Sequence, residues 1–103
     1  MRHFYRTHLT PAEALAAADE FFEKLGLVVA AREPRERTYR GVVGMPEVPA
    51  TVQLRIRPEG GHYTFVEVTT DQVGESRVDR NVKRFFVDLH RRTEPSHRPL
   101  AAY

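Results

Sequence analysis

Positions 62–70 read His-Tyr-Thr-Phe-Val-Glu-Val-Thr-Thr, a strand pattern with apolar residues on both of its faces. Side chains alternate along a strand, so Thr64, Val66, Val68 and Thr70 share one face while Tyr63, Phe65, Glu67 and Thr69 share the other. A sheet with one face in water needs only one of these sets to be apolar. The second set therefore implies a cover: a ligand, a nucleic acid or another copy of the chain. The segment before it, 50–57, alternates Val52, Leu54 and Ile56 against Thr51, Gln53, Arg55 and Arg57. The turn Pro58-Glu59-Gly60-Gly61 joins the two segments as a hairpin.

Helical spacing appears twice. Thr10-Pro11-Ala12-Glu13 carries an N-cap, a proline suited to the first turn and a capping-box glutamate. Leu15, Ala18, Phe22 and Leu25 follow as one stripe and Gly26 is placed to end it, so a helix is predicted over 11–25. Ser76 and Asp79 form a second capping box, and Val78, Val82, Phe85 and Leu89 set the buried stripe of a helix over 75–92. Residues 2–9 have strand composition. The run Leu27–Ala31 reads as a short strand covered on both sides. Glu33-Pro34-Arg35-Glu36 turns the chain into a strand over 37–43, and Gly44–Pro49, with two prolines, is a loop.

The predicted order is β-α-β-β-β-β-α: an α+β domain over 1–93, with a tail over 94–103 that Leu100 and Tyr103 could pin down. The expected architecture is a curved, mostly antiparallel five-stranded sheet with both helices on one face. In element order alone this resembles helix-grip and TBP-like domains, where a curved sheet wraps a long C-terminal helix. That resemblance implies a fold and says little about function.

The hairpin admits two registers, and a one-residue slip exchanges every side chain between faces. A three-residue loop, Pro58-Glu59-Gly60, pairs Leu54 with Thr64 and Val52 with Val66. Tyr63 and Phe65 then form an open platform beside Arg55 and Gln53, on which bases could stack or a second copy could pack. A four-residue loop pairs Ile56 with Tyr63, Leu54 with Phe65 and Val52 with Glu67. Glu67 then points inward, where a carboxyl holds its proton unless an arginine meets it. That would mark a pocket and a candidate general base; the plainer alternative is a strand-end carboxylate paired with Arg55 or Arg40.

Composition narrows the classes. The 103-residue chain suits one core. No apolar run approaches a membrane span and no signal-peptide core is visible, so a cytoplasmic protein without a membrane role is expected. Cysteine is absent, which excludes disulfides, thiolate catalysis and Cys-based zinc sites. Net charge is only +2, with 14 Arg against 2 Lys. Such Arg, Ala and Pro usage is what a GC-rich genome writes, and the scarcity of Asn, Gln, Met and Cys is compatible with a thermophilic source. Charge is uneven: residues 77–103 carry seven basic and three acidic side chains. Arg77, Arg84 and Arg91, with Arg80 nearby, share an outer helix face. Pairing with Asp88, four after Arg84 and three before Arg91, would make this an ordinary solvated face.

Histidines 3, 8, 62, 90 and 97 show no metal-ligand spacing, so neither a metal nor a cofactor is expected. Ser76 is explained as a cap, which leaves serine-nucleophile chemistry without support. The leading expectation is a non-catalytic domain that self-associates as a homodimer through apolar residues outside the core. A small-ligand module with a cleft between the sheet and the last helix ranks second. Nucleic-acid binding through Tyr63, Phe65 and nearby arginines ranks third, and tight binding at physiological salt is not expected. Catalysis ranks last.

Overall fold

The computed structural model describes residues 1–44, 46–72 and 76–93. Expectations that rest on Met45, on residues 73–75 and on the tail, including Leu100 and Tyr103, lie outside the described residues. The observed order is β1 (Arg2–Thr7), α1 (Pro11–Lys24), β2 (Val28–Glu33), β3 (Glu36–Val43), β4 (Val48–Glu59), β5 (Tyr63–Thr70) and α2 (Arg77–Thr93). The five strands form one sheet in the order β1-β5-β4-β3-β2, and every neighbouring pair is antiparallel. The α+β class and the element order are as the sequence implies.

Both capping boxes form. Thr10 Oγ1 accepts from the Glu13 amide at 3.1 Å, and a Glu13 carboxylate oxygen accepts from the Thr10 amide at 2.9 Å. The Ser76 hydroxyl and the Asp79 carboxylate make the same exchange at the start of α2. At the end of α1 the Gly26 amide donates to Glu23 O and the Leu27 amide to Phe22 O, each at 3.0 Å. That is a Schellman ending, and it places Gly26 at φ 105°.

The helices cover one face of the sheet. Val52, Leu54 and Ile56 of β4, Val66 and Val68 of β5, and Tyr39 and Val43 of β3 are buried with Leu15, Ala18 and Phe22 of α1 and Val78, Val82, Phe85 and Leu89 of α2. The two predicted helix stripes are thus core, except that Leu25 is half-buried at its margin. Phe22 is the hub: its ring centroid lies 4.9 Å from Tyr39 and 5.2 Å from Phe85.

Two expectations need correction. The first concerns the strand beginning at Leu27. Leu27 is buried, but β2 itself is one of the two edge strands, and Val28 is 63% exposed. An apolar run cannot distinguish a central strand from an edge strand, and here the sheet ends at β2. The second concerns the hairpin. β4 runs on through Pro58 and Glu59, and the pairing is Leu54 with Val68, Ile56 with Val66 and Glu59 with Tyr63. The inward-aromatic register, with Phe65 and Glu67 in the core, is not formed. The faces are those of the three-residue-loop register, but the pairing is shifted because the turn lies at Gly60, Gly61 and His62.

Gly60 and Gly61 have φ of 60° and 74°, and the His62 amide donates to Glu59 O at 3.3 Å. Two consecutive positive φ values match the twist that a tight hairpin requires, and glycine adopts them without strain. Replacing both glycines with alanine is expected to destabilise the protein by about 1 kcal/mol or more, read as a lowered denaturant midpoint. An unchanged midpoint would show that the turn does not hold the register.

Candidate functional site

The face of the sheet opposite the helices is built in rows, one side chain from each strand. β1, β5 and β4 set Arg6, Phe65 and Arg57 side by side. Both guanidiniums lie over the Phe65 ring, at 5.0 Å and 4.9 Å from its centroid. The Phe4 ring stacks on Phe65 at 5.5 Å, and the His8 ring lies 4.7 Å from that of Tyr63. Phe4 is 52% exposed and Tyr63 45%.

Carboxylates interleave with these groups. Glu59 accepts from Arg6 Nε at 2.8 Å and from Arg57 at 3.2 Å. The Arg6 guanidinium, with Arg57 beside it, holds the Glu59 carboxyl below its usual range. Glu67 pairs with Arg2 at 3.1 Å, and Glu36 lies 3.8 Å from Arg55. Arg35, Glu36, Arg55, Arg57, Phe65 and Glu67 line a shallow depression of about 300 Å³ with Ile56.

Of the residues named from sequence, Tyr63, Phe65, Glu67 and Arg55 do share this face. Glu67 is not an inward carboxylate, and its partner is Arg2 rather than Arg55 or Arg40. Arg40 lies on the same face but opposite Thr51 and Val28, towards the β2 edge, and does not join the aromatic cluster. Sequence reasoning missed Phe4, Arg2 and Arg6. They belong to β1, and only the pairing of the first strand with the fifth brings them here. Their alternation with His3 and Tyr5 was the available signal.

Two polar knots, the first buried and the second partly so, hold the helices to the sheet. Asp79 accepts from Ser76 Oγ at 2.6 Å and Thr70 Oγ1 at 2.9 Å, and lies 2.7 Å from His3 Nε2. Burial would raise its pKa, but the hydrogen bonds from Ser76, His3 and Thr70 outweigh burial and hold the carboxyl below its ordinary value. Serine and histidine both address the carboxylate rather than each other, so this is a helix anchor and not a nucleophile relay. The second knot centres on Asp19 of α1, which accepts from the Tyr39 hydroxyl at 2.7 Å and from Arg37 and Arg32. Burial, with the Asp19 hydrogen bond added, pushes the Tyr39 hydroxyl far above its usual range. His3 and His8 thus serve opposite faces.

Arg77, Arg80, Arg84 and Arg91 are all exposed on α2. The pairing with Asp88 considered above is not formed. Asp88 accepts from Arg92 Nε at 2.8 Å, and Arg92 also reaches Glu20 at 3.3 Å.

Among the described residues no three histidine or acidic side chains converge as a metal site. No described helix is long and apolar enough to cross a membrane. The open face offers stacked rings and forked cations on a rigid sheet, an arrangement suited to binding. No protein-family model matches the chain, and no curated protein matches it in sequence.

Proposed function

We propose that this domain is a non-catalytic homodimer, with two copies packed face to face through the open side of the sheet. The observation that carries the reading is the aromatic patch of exposed Phe4 and Tyr63 with half-buried Phe65, ringed by both signs of charge. Small monomers seldom leave such a patch in water. A two-fold contact sets each patch against itself, and a surface bearing Arg2, Arg6, Arg55 and Arg57 with Glu36, Glu59 and Glu67 is complementary to its own copy. The present Arg–Glu pairs are exposed and contribute little within one chain, so they can exchange partners across the axis.

Size supports the same occupant. Strand spacing and rise give the face roughly 24 Å by 26 Å, on the order of 600 Å², against about 800 Å² per partner in a standard interface. Edge-to-edge pairing through β2 is the weaker route. β2 is interrupted by a bulge between Val29 and Ala31 and ends in Arg32 and Glu33, both features that blunt an edge. A free base-stacking platform also fits less well, because Arg6 and Arg57 already occupy the Phe65 ring. A small polar ligand in the depression is the second reading, because Arg35, Arg55 and Arg57 line it together with the carboxylates of Glu36 and Glu67.

Sedimentation at micromolar concentration is expected to give a dimer. Phe4→Asp is expected to yield monomers with an unchanged circular dichroism spectrum, since Phe4 lies outside the core. A monomeric parent chain would overturn the proposal, and a dimeric Phe4→Asp variant would place the contact elsewhere.

A further inference from the structure

We propose that the outer face of α2 docks on the phosphate backbone of duplex nucleic acid without reading its sequence. At 3.6 residues per turn, Arg77, Arg80, Arg84 and Arg91 fall within an arc of about 60°, opposite the buried stripe, and span about 21 Å along the axis. Duplex DNA presents one charge per roughly 1.7 Å of axis, so that length passes about a dozen phosphates. The guanidinium fork suits phosphate oxygens, to which it donates two parallel hydrogen bonds.

What makes the stripe available is where the two described carboxylates of α2 go. Asp79 is buried beneath His3, Thr70 and Ser76. Asp88 is turned towards α1, bound to Arg92, which Glu20 also holds. Neither neutralises the stripe.

The chemistry of the stripe selects among anionic partners. Its one apolar member is Val87, and it lacks the aromatic anchors on which protein interfaces depend. The apolar face of α2 is committed to the core, so nothing remains to enter a lipid layer. No amide side chain is offered for reading adenine edges. Asn81, the one amide side chain on α2, is buried and donates to Arg77 O at 2.9 Å. The inference does not depend on the dimer, although a face-to-face dimer would carry the two helices on its outer sides. It is also consistent with weak binding at physiological salt, because only four cations take part.

The test is fluorescence anisotropy of two labelled duplexes of unrelated sequence, titrated with the full chain over a range of salt. Equal affinities are expected, with a log–log salt slope near about −3.6, or about a 150-fold loss between about 50 and 200 mM. The double variant Arg84→Ala/Arg91→Ala should keep its thermal midpoint while the slope falls by about 1.8. Absence of binding at the lowest salt would overturn the proposal. So would a slope unchanged in the double variant, a preference for one sequence, or tighter binding to phosphatidylserine–phosphatidylcholine vesicles than to duplex.

Discussion

Phe85→Ala is expected to cost about 3–5 kcal/mol, as truncation of a fully buried aromatic does. Phe85 is fully buried and its ring contacts Phe21, Phe22 and Phe86, with centroids 5.2–5.9 Å away. These contacts join α1 to α2, so the vacated volume lies where both helices meet the sheet and neither can close it alone. A domain of this size holds about 5–15 kcal/mol in total, and the variant should lose a large part of it. Phe22→Ala, which also strips the partner of Tyr39, should fall in the same range. Arg84→Ala, at the preceding residue on the exposed side of α2, should cost under about 0.5 kcal/mol. Denaturant midpoints decide the matter: comparable shifts for Arg84 and Phe85 would mean that the phase of α2 is wrong.

Asp79→Ala should cost about 3 kcal/mol, because it strands buried donors on two strands and removes a helix cap at once. The position also sets an acid limit. Its carboxyl titrates below the ordinary value when folded, so the unfolded chain takes up the proton first as pH falls. The stabilisation is therefore present above about pH 4, the ordinary range for aspartate, and is lost as pH drops through the folded value. Asp79→Asn should flatten the loss of stability on acidification relative to the parent chain. Glu20 and Glu59 are lowered too, but they are common to both proteins and cancel in the comparison. Parallel acid limbs in the two proteins would remove Asp79 as the cause.

How much of this was legible in sequence depended on whether the signal was local. The helices were, because caps and stripes such as Thr10–Glu13 and Val78–Leu89 lie within a few turns of each other. The turn glycines were legible as a turn, yet not its position. Pro58 lacks an amide proton but still sits within β4, and nothing nearby reveals that the strand passes through it. The location of β2 was hidden because burial of a short apolar run is decided by its neighbours in the sheet. Of the candidate site, Tyr63, Phe65, Glu67 and Arg55 could be named from alternation along their strands. Phe4 and Arg6 could not be linked to them, since that contact is set by long-range pairing. The fate of Asp88 was equally hidden: its sequence neighbours Arg84 and Arg91 were outcompeted by Arg92 and the facing helix.

The placement of β1 beside β5 carries a kinetic consequence. Strands β2 to β5 are joined in succession by short connections, and each can zip onto the one before it. β1 cannot; its only partner is the last strand made. As the chain is synthesised, residues 2–7 remain without a ladder until residues 63–70 have emerged. Closing that long loop is the slow kind of event in folding, because its entropy must be spent before any contact compensates. Until it closes, the edge of β5 is unprotected, the Phe65 ring lacks both Phe4 and Arg6, and Asp79 lacks His3. The interval between completing β5 and docking β1 is therefore when this chain is most exposed to aggregation.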